Sequence, residues 1–480
     1  MFNQYQWELY LNAGGKNIVN MFERNLTEEF TEEYIEKIVE FHKSYCPSKN
    51  ITDIIENDFY SILEGDSIGT CANLKELKSL IKKEIYKQNI SDKTLFEEFS
   101  AGISYYTTLL AYNSDFDLIP YYFKYNFNVL EKICIEFEID IPNIPIKKDY
   151  IGRYNYYEEL CKSFLIFRQN NNMTAFEFLA FLYDYAPKLV GGTDYIINTL
   201  PEPKSAFFIG AQRNDAFFST DKNWITPWQC NAETRAGDLL VMYMRYPDSC
   251  VNSVWRSVSL GFNDPFFEYY RCAYISNSTE FTPFSKTDME QDSVFKDLPI
   301  VRKNMQGVNG VELSPSQYNH LVEITKADVP KLEYTVINND VAFTREKDVE
   351  NKLIIPLIEK LDYNSDDWIP QMQISIGNHN TTLIPDFVIL PNHKEKKAFA
   401  IIEAKLTIQN KKELSIVRDQ AKSYARQLLA EYCIIASKEK IWIYSNIDNN
   451  DYIDEVFSAS WEELNNADCF QRIYKKIGKC

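Results

Sequence analysis

"LIPDFVIL" (383–390) and "AFAIIEAKL" (398–406) are two apolar runs separated by the lysine-rich "PNHKEKK" (391–397). Each reads as a strand, and the polar stretch between them reads as a hairpin turn. Yet each run carries an acid, Asp386 in the first and Glu403 in the second, with Lys405 two places further on. An ionised group inside an apolar strand needs a partner, because an unpaired buried charge is far more costly than a buried amide. Residues i and i+2 of a strand share a face, so Glu403 and Lys405 project together while Ile402 and Ala404 turn the other way. Asp386 joins them only if its cross-strand partner is odd-numbered: 401, 403 or 405.

Two carboxylates forced together repel, which a divalent cation between them relieves. Few hard oxygen ligands with open positions suit Mg²⁺, with Mn²⁺ as a substitute, holding phosphate and water. An adjacent lysine can then orient that water and stabilise charge building on phosphorus. The bare letters recur: Glu-x-Lys also stands at 76–78, 350–352 and 395–397, and Pro-Asp at 247–248. Only Pro385-Asp386 is followed by Glu-x-Lys within an apolar strand; Glu395–Lys397 falls in the polar turn.

Outward from the hairpin, the spacing predicts a helix over 344–361, strands over 369–376, 383–390 and 398–406, a helix over 411–430, then strands over 432–437 and 440–445. This order implies an α/β unit with a mixed sheet. In "IPDFVIL…AFAIIEAKL" the chain resembles the PD-(D/E)xK nuclease superfamily of restriction and RecB-type enzymes. "REKDVENKLIIPLIEKLDY" (345–363) resembles that family's first helix, and "DQAKSYARQL" (419–428) its Gln-x-x-x-Tyr helix. The resemblance implies a Mg²⁺-dependent endonuclease acting on DNA. Asp386, Glu403, the carbonyl of Ala404 and Glu350 would hold the metal, with Glu346 the alternative to Glu350. Lys405 would position the attacking hydroxide, and Gln420 and Tyr424 would fix the phosphate backbone.

Residues 200–328 change to short aromatic and β-branched runs, such as "GDLLVMYMRYPDSCVNSVWRSVSLGFNDPFFEYYRCAYI" (237–275). With "VFKDLPIVRKNMQGVNGVELSPSQYNHLVEI" (294–324), they resemble PUA-like folds, particularly the EVE branch. That resemblance implies a pocket for a modified or flipped base. Trp224, Trp228, Tyr243 and Trp255 are its expected walls, and Asp264 and Asn263 its edge contacts. Arg256 and Arg271 are candidate phosphate contacts.

Residues 1–195 read as helices over 26–42, 73–88, 95–112 and 176–186, without a chemical motif. The expected class is therefore multidomain α+β: a helical region (1–195), a β-rich PUA-like domain (200–328) and an α/β restriction-endonuclease-like domain (335–480). By analogy with reader–nuclease fusions, the functional expectation is a modification-sensing restriction or anti-phage defence enzyme. Alternatives are an effector switched on by a small nucleotide, and a catalytically silent subunit of a defence complex. A homodimer or a defence-complex partner is expected.

The bulk composition narrows these classes. A formal charge of −18 argues against a generally basic nucleic-acid coat. Residues 341–480 are nearly balanced, however, with 19 Lys+Arg against 21 Asp+Glu, and residues 394–426 hold nine basic against four acidic side chains. The basic balance sits around the hairpin. Ten cysteines without a Cys-x-x-Cys pair, and four scattered histidines, argue against a zinc site or disulfide framework. No Gly-x-x-x-x-Gly-Lys-Ser/Thr occurs, which excludes a P-loop motor. "MFNQYQWELYLNAGG" lacks a basic n-region, and no apolar run reaches membrane-spanning length, so a cytoplasmic location without membrane contact is expected.

Overall fold

The computed structural model describes the chain except residues 1, 29, 64–70, 86–89, 115, 192–198, 214, 216–223, 333–342, 376–381, 393, 447–450 and 480. It is a mixed α+β protein, helical in its N-terminal region and sheet-rich beyond it. The chain forms two compact units, residues 1–313 with 321–330, and residues 314–320 with 331–480. Among the described residues no helix is long and apolar enough to cross a membrane.

In the first unit, two of the four helical patterns are interrupted where the backbone chemistry requires it. The 95–112 pattern splits at Gly102 into Asp92–Ala101 and Ile103–Asn113, and Ser91 caps the first of these through the Thr94 N–H. The 176–186 pattern starts at a Thr174–Glu177 capping box and contains a wide turn over Phe181–Tyr185. Its aromatic stripe is core, as Phe178, Phe181 and Tyr183 are all buried. The stripe within 151–169 is also core, since Tyr154, Tyr157, Phe164 and Phe167 lie inward.

Among the described residues seven strands follow in this unit: β1 (Ala206–Ala211), β2 (Thr226–Gln229), β3 (Leu239–Met244), β4 (Cys250–Ser257), β5 (Phe262–Asn263), β6 (Arg271–Ser285) and β7 (Val311–Leu313). Their order is β2-β6-β4-β3-β1-β7, with β5 beside β6. Only the β1–β3 pair is parallel. β2 and β7 are opposite ends of that order, yet Asn309 Nδ2 donates to Gln229 Oε1 at 2.6 Å and Asn231 Nδ2 to the Gly310 carbonyl at 3.1 Å. The sheet thus curls until side chains bridge its two edges. One hydrophobic core runs from the helices into this sheet, joining Phe99, Tyr121 and Tyr156 to Phe266, Cys272 and Tyr274. Arg153 is buried at that junction and donates through Nε to the Pro265 carbonyl at 2.9 Å.

The second unit is built on a six-stranded sheet. Its strands are β8 (Trp368–Pro370), β11 (Phe387–Ile389), β12 (Ala400–Ala404), β13 (Tyr432–Ala436), β14 (Lys440–Ser445) and β15 (Glu455–Ser460), in the order β15-β14-β13-β12-β11-β8. The short β9 (Ile374–Ser375) and β10 (Thr382–Leu383) pair separately. The strand expected over 369–376 is therefore two pieces, its last residue outside the described set. The run 383–390 also divides, because Pro385 has no N–H to give the ladder.

Alternation along β12 sorts the packing. Ala400, Ile402 and Ala404 face a core shared with Leu353, Leu357 and the C-terminal helix Ala467–Ile477. Ile401 faces the other core, with Val388, Ala421 and Tyr424 of the helix Lys411–Gln427. The parallel β12–β13 pair lies at the centre, where both faces are covered and the strands are apolar except for Glu403.

Candidate functional site

β11 and β12 are antiparallel, with Phe387 opposite Ile402 and Val388 opposite Ile401. Continuing that register by one residue sets Asp386 opposite Glu403, the odd-numbered partner that the convergence requires. Asp386 lies just after Pro385, at the point where the strand leaves the ladder, and its Oδ2 accepts the Ala404 N–H at 2.7 Å. Glu403 shares the face of Ile401 and looks toward the helix Lys411–Gln427. From that helix Gln420 Nε2 donates to Glu403 Oε1 at 2.7 Å and approaches the Tyr424 hydroxyl at 2.9 Å. Lys405 Nζ donates to the same Glu403 Oε1 at 2.7 Å and to the Ala404 carbonyl at 3.0 Å.

Glu403 is only 3% exposed, and its second oxygen, Oε2, is buried without a hydrogen-bond partner. Burial pushes this carboxyl up to about 7; Asp386 adds to the rise, and the Lys405 hydrogen bond opposes it. Asp386 is also raised, first by burial and then by the charges of Glu350 and Glu346, while the Ala404 N–H pulls it down. Burial lowers Lys405, but its bond to Glu403 and the surrounding acids outweigh that, and it stands above its ordinary value. The site gathers the charges of Asp386, Glu403, Glu346 and Glu350 within reach of the Lys405 ammonium.

Glu346 and Glu350 both feed this field from the first helix. That helix is not regular: Glu346–Val349 and Ile355–Lys360 flank a wide turn over Glu350–Ile354. Such turns shift the facing of side chains and recur at functional positions. Glu350 is buried and paired with Lys347, so its charge is partly spent. Glu346 acts on Glu403 and Lys405 as well as on Asp386. Among the described residues, no three or more His, Cys, Asp or Glu side chains are grouped so as to hold a metal ion. The carboxylates of Asp386 and Glu403, the latter with its bare Oε2, and the Ala404 carbonyl are hard oxygen donors of the type that Mg²⁺ takes alongside water.

Of the aromatic residues expected to wall a pocket in the first unit, Trp255 belongs to a core cluster and Trp224 and Trp228 pack against that same cluster. Trp255 is 2% exposed, sits among Phe207, Leu240 and Ile275, and donates Nε1 to Ser253 Oγ. It is core because β4 turns it inward. Asp264 is fully buried and accepts the Phe266 and Phe267 N–H groups at 2.8 and 3.1 Å, so it shapes a turn. Arg256 is consumed by the Gly237 and Pro201 carbonyls, whereas Arg271 is exposed. Tyr243 lines a separate recess with Tyr246 and Lys286, and Trp224 packs half-buried against the sheet. Trp228 alone of the expected set lines a cavity of about 260 Å³. The sequence reading missed Gln229, Arg245 and Asn309 on that cavity; only the closure of the sheet brings them together.

No protein-family model matches the chain, and no curated protein is similar to it. An NMR structure of Rpa0253 from Rhodopseudomonas palustris is similar over 25% of this chain and 93% of its own, at 9% identity and a TM-score of 0.23. That likeness is too slight to inform fold or activity.

Proposed function

We propose that the second unit is a metal-dependent nuclease of the PD-(D/E)xK kind that hydrolyses phosphodiester bonds of DNA. The observation that carries this reading is the buried, unpartnered Oε2 of Glu403, set opposite Asp386 at the end of β12. A structural ion pair with Lys405 would need only one acid, whereas Asp386 and Glu403 stand opposite each other here. Asp386, Glu403 and the Ala404 carbonyl would hold Mg²⁺ or Mn²⁺, with Glu346 or Glu350 assisting through water. The ion supplies charge neutralisation and a more acidic water.

Lys405 keeps its proton, so it serves as a fixed positive charge beside the attacking oxygen and the phosphate. Gln420 orients Glu403 through Oε1. Tyr424, on the same helix face, holds Gln420 in turn. The excess of basic residues over 394–426 is the part of the sequence best suited to attract a phosphate backbone, although Lys397 is paired with Glu395 and Lys422 and Arg426 with Asp451. A modification-sensing restriction or anti-phage defence role is part of this proposal, resting on analogy with reader–nuclease fusions.

The deciding experiment is plasmid cleavage with purified protein in Mg²⁺, in Mn²⁺ and in EDTA, alongside Asp386→Asn and Glu403→Gln. Metal-dependent nicking lost in both variants supports the assignment. Cutting retained in the double variant, or no cutting of any nucleic acid by the native chain, overturns it.

A further inference from the structure

The cavity of about 260 Å³ in the first unit has a wall whose hydrogen-bond polarity is fixed. Gly210 N–H donates to Asn309 Oδ1 at 2.6 Å, and Asn309 Nδ2 donates to Gln229 Oε1 at 2.6 Å. A backbone N–H can only donate, so the amide of Asn309 has one allowed orientation and that of Gln229 follows from it. The group left at the end of this relay is the Gln229 Nε2 donor. Arg245 lines the same cavity. A Cβ on residue 210 would meet Val308 Cγ1 at 2.8 Å and Arg245 Nε at 3.3 Å, so the guanidinium packs close against this bare stretch of strand.

The remaining surface is aromatic. Trp228, Tyr125, Phe267 and Tyr269 all line it. Tyr125 meets Phe267 at 5.3 Å and 85°, and Phe267 meets Tyr269 at 5.6 Å and 79°, an edge-to-face series. Asp215, the acid on this wall, is already engaged by the Gln212 N–H at 2.7 Å. Asn50 and Tyr125 come from the helical region and Trp228 from β2, so both segments of the unit build the site.

We infer that this cavity binds a single nucleotide: a planar base against the aromatic wall, an acceptor edge on Gln229, and a phosphate on Arg245. Its volume falls just under the range of about 300–1,000 Å³ usual for small-molecule pockets, which fits one heterocycle and excludes a peptide or duplex inside it. Flat aromatic faces favour a flat ligand, a donor amide selects an acceptor edge, and an always-charged guanidinium selects an anion. The nucleotide is either free in solution or turned out of a strand.

The test uses the full chain carrying Asp386→Asn and Glu403→Gln, in EDTA, so that no cleavage intervenes and the outcome is independent of the nuclease reading. Calorimetry is run with each common mononucleotide, with the matching nucleosides, and with a short duplex with or without one unpaired nucleotide. Binding of a mononucleotide assigns a free ligand. Binding of only the duplex with the unpaired nucleotide assigns an extruded one. In either case Arg245→Ala, at an exposed position, should weaken binding about tenfold or more. Gln229→Glu, which still accepts from Asn309 but offers no donor, should do the same with an unchanged melting temperature. Failure of every ligand to titrate, or full affinity in both variants, overturns the inference.

Discussion

Gln420 Nε2 and Lys405 Nζ both donate to one oxygen of Glu403, each at 2.7 Å, and leave its other oxygen bare. One carboxylate oxygen is thus held by the protein, and the second is kept in a fixed direction. Gln420→Leu should therefore lower cleavage by about 10–100-fold, the usual cost of removing a partner that orients a metal ligand. Raising Mg²⁺ should recover part of the loss, because the carboxylate is still present. A Mg²⁺ titration of single-turnover cleavage checks this; a loss that no Mg²⁺ concentration relieves would assign Gln420 to substrate instead.

Among the described residues Lys405 is the ammonium bonded to Glu403, so its removal takes away positive charge where the proposed reaction would accumulate negative charge. Lys405→Ala should cut the rate by about 10²–10³-fold, the scale seen when one donor to a developing anion is lost. Lys405→Arg keeps the charge but not the compact point geometry, and should recover little. Rates measured at saturating Mg²⁺, with melting curves alongside, separate this from misfolding.

The hairpin was legible because a period of two puts every polar intrusion on a defined face, and Pro385 marks where the ladder ends. Glu403 and Lys405 could be set on one side from spacing alone; the register that adds Asp386 required the fold. The wide turn at Glu350–Ile354 left no trace in the sequence, since its apolar spacing still reads as one helix. β15 and the closing helix Ala467–Ile477 lie beyond the last strand read from the sequence, yet they bury Phe457, Phe470 and Ile473 against the sheet. Trp255 is core and Trp228 lines a cavity for one general reason: an indole in a strand packs inward unless a cavity exists, and cavities arise from strand closure, which composition does not encode.

Asp264 is fully buried, and burial lifts its carboxyl to about 7. Its folded value therefore exceeds its unfolded one. Between about pH 4 and 7 the unfolded chain gives up this proton first, so native stability falls as pH rises through that window and levels off above it. Asp264→Asn keeps an acceptor for the Phe266 and Phe267 N–H groups but cannot ionise. Its stability relative to the native chain should improve from pH 5 to pH 7.5, by on the order of a few kcal/mol at most, at about 1.4 kcal/mol per pH unit. Urea midpoints of both proteins at the two pH values decide it; a pH-independent difference would mean that Asp264 is ionised in the folded state.

Asp238 holds the entry to the sheet. Its Oδ1 accepts the Lys204 and Ser205 N–H groups at 3.1 and 2.9 Å, and its Oδ2 accepts the Arg235 N–H at 2.8 Å. It follows Gly237, whose φ of +92° and approach to the Pro201 carbonyl leave no room for a Cβ. The turn and the carboxylate together bring β1 alongside β3 in parallel, a pairing with no hairpin to enforce it. Asp238→Ala strands three backbone donors at a buried point and should cost on the order of 3 kcal/mol. The loss should appear as a lower urea midpoint for the first unit, with metal-dependent cleavage by the second unit retained below that transition. Simultaneous loss of cleavage at low urea would show instead that the nuclease depends on the sheet that Asp238 pins.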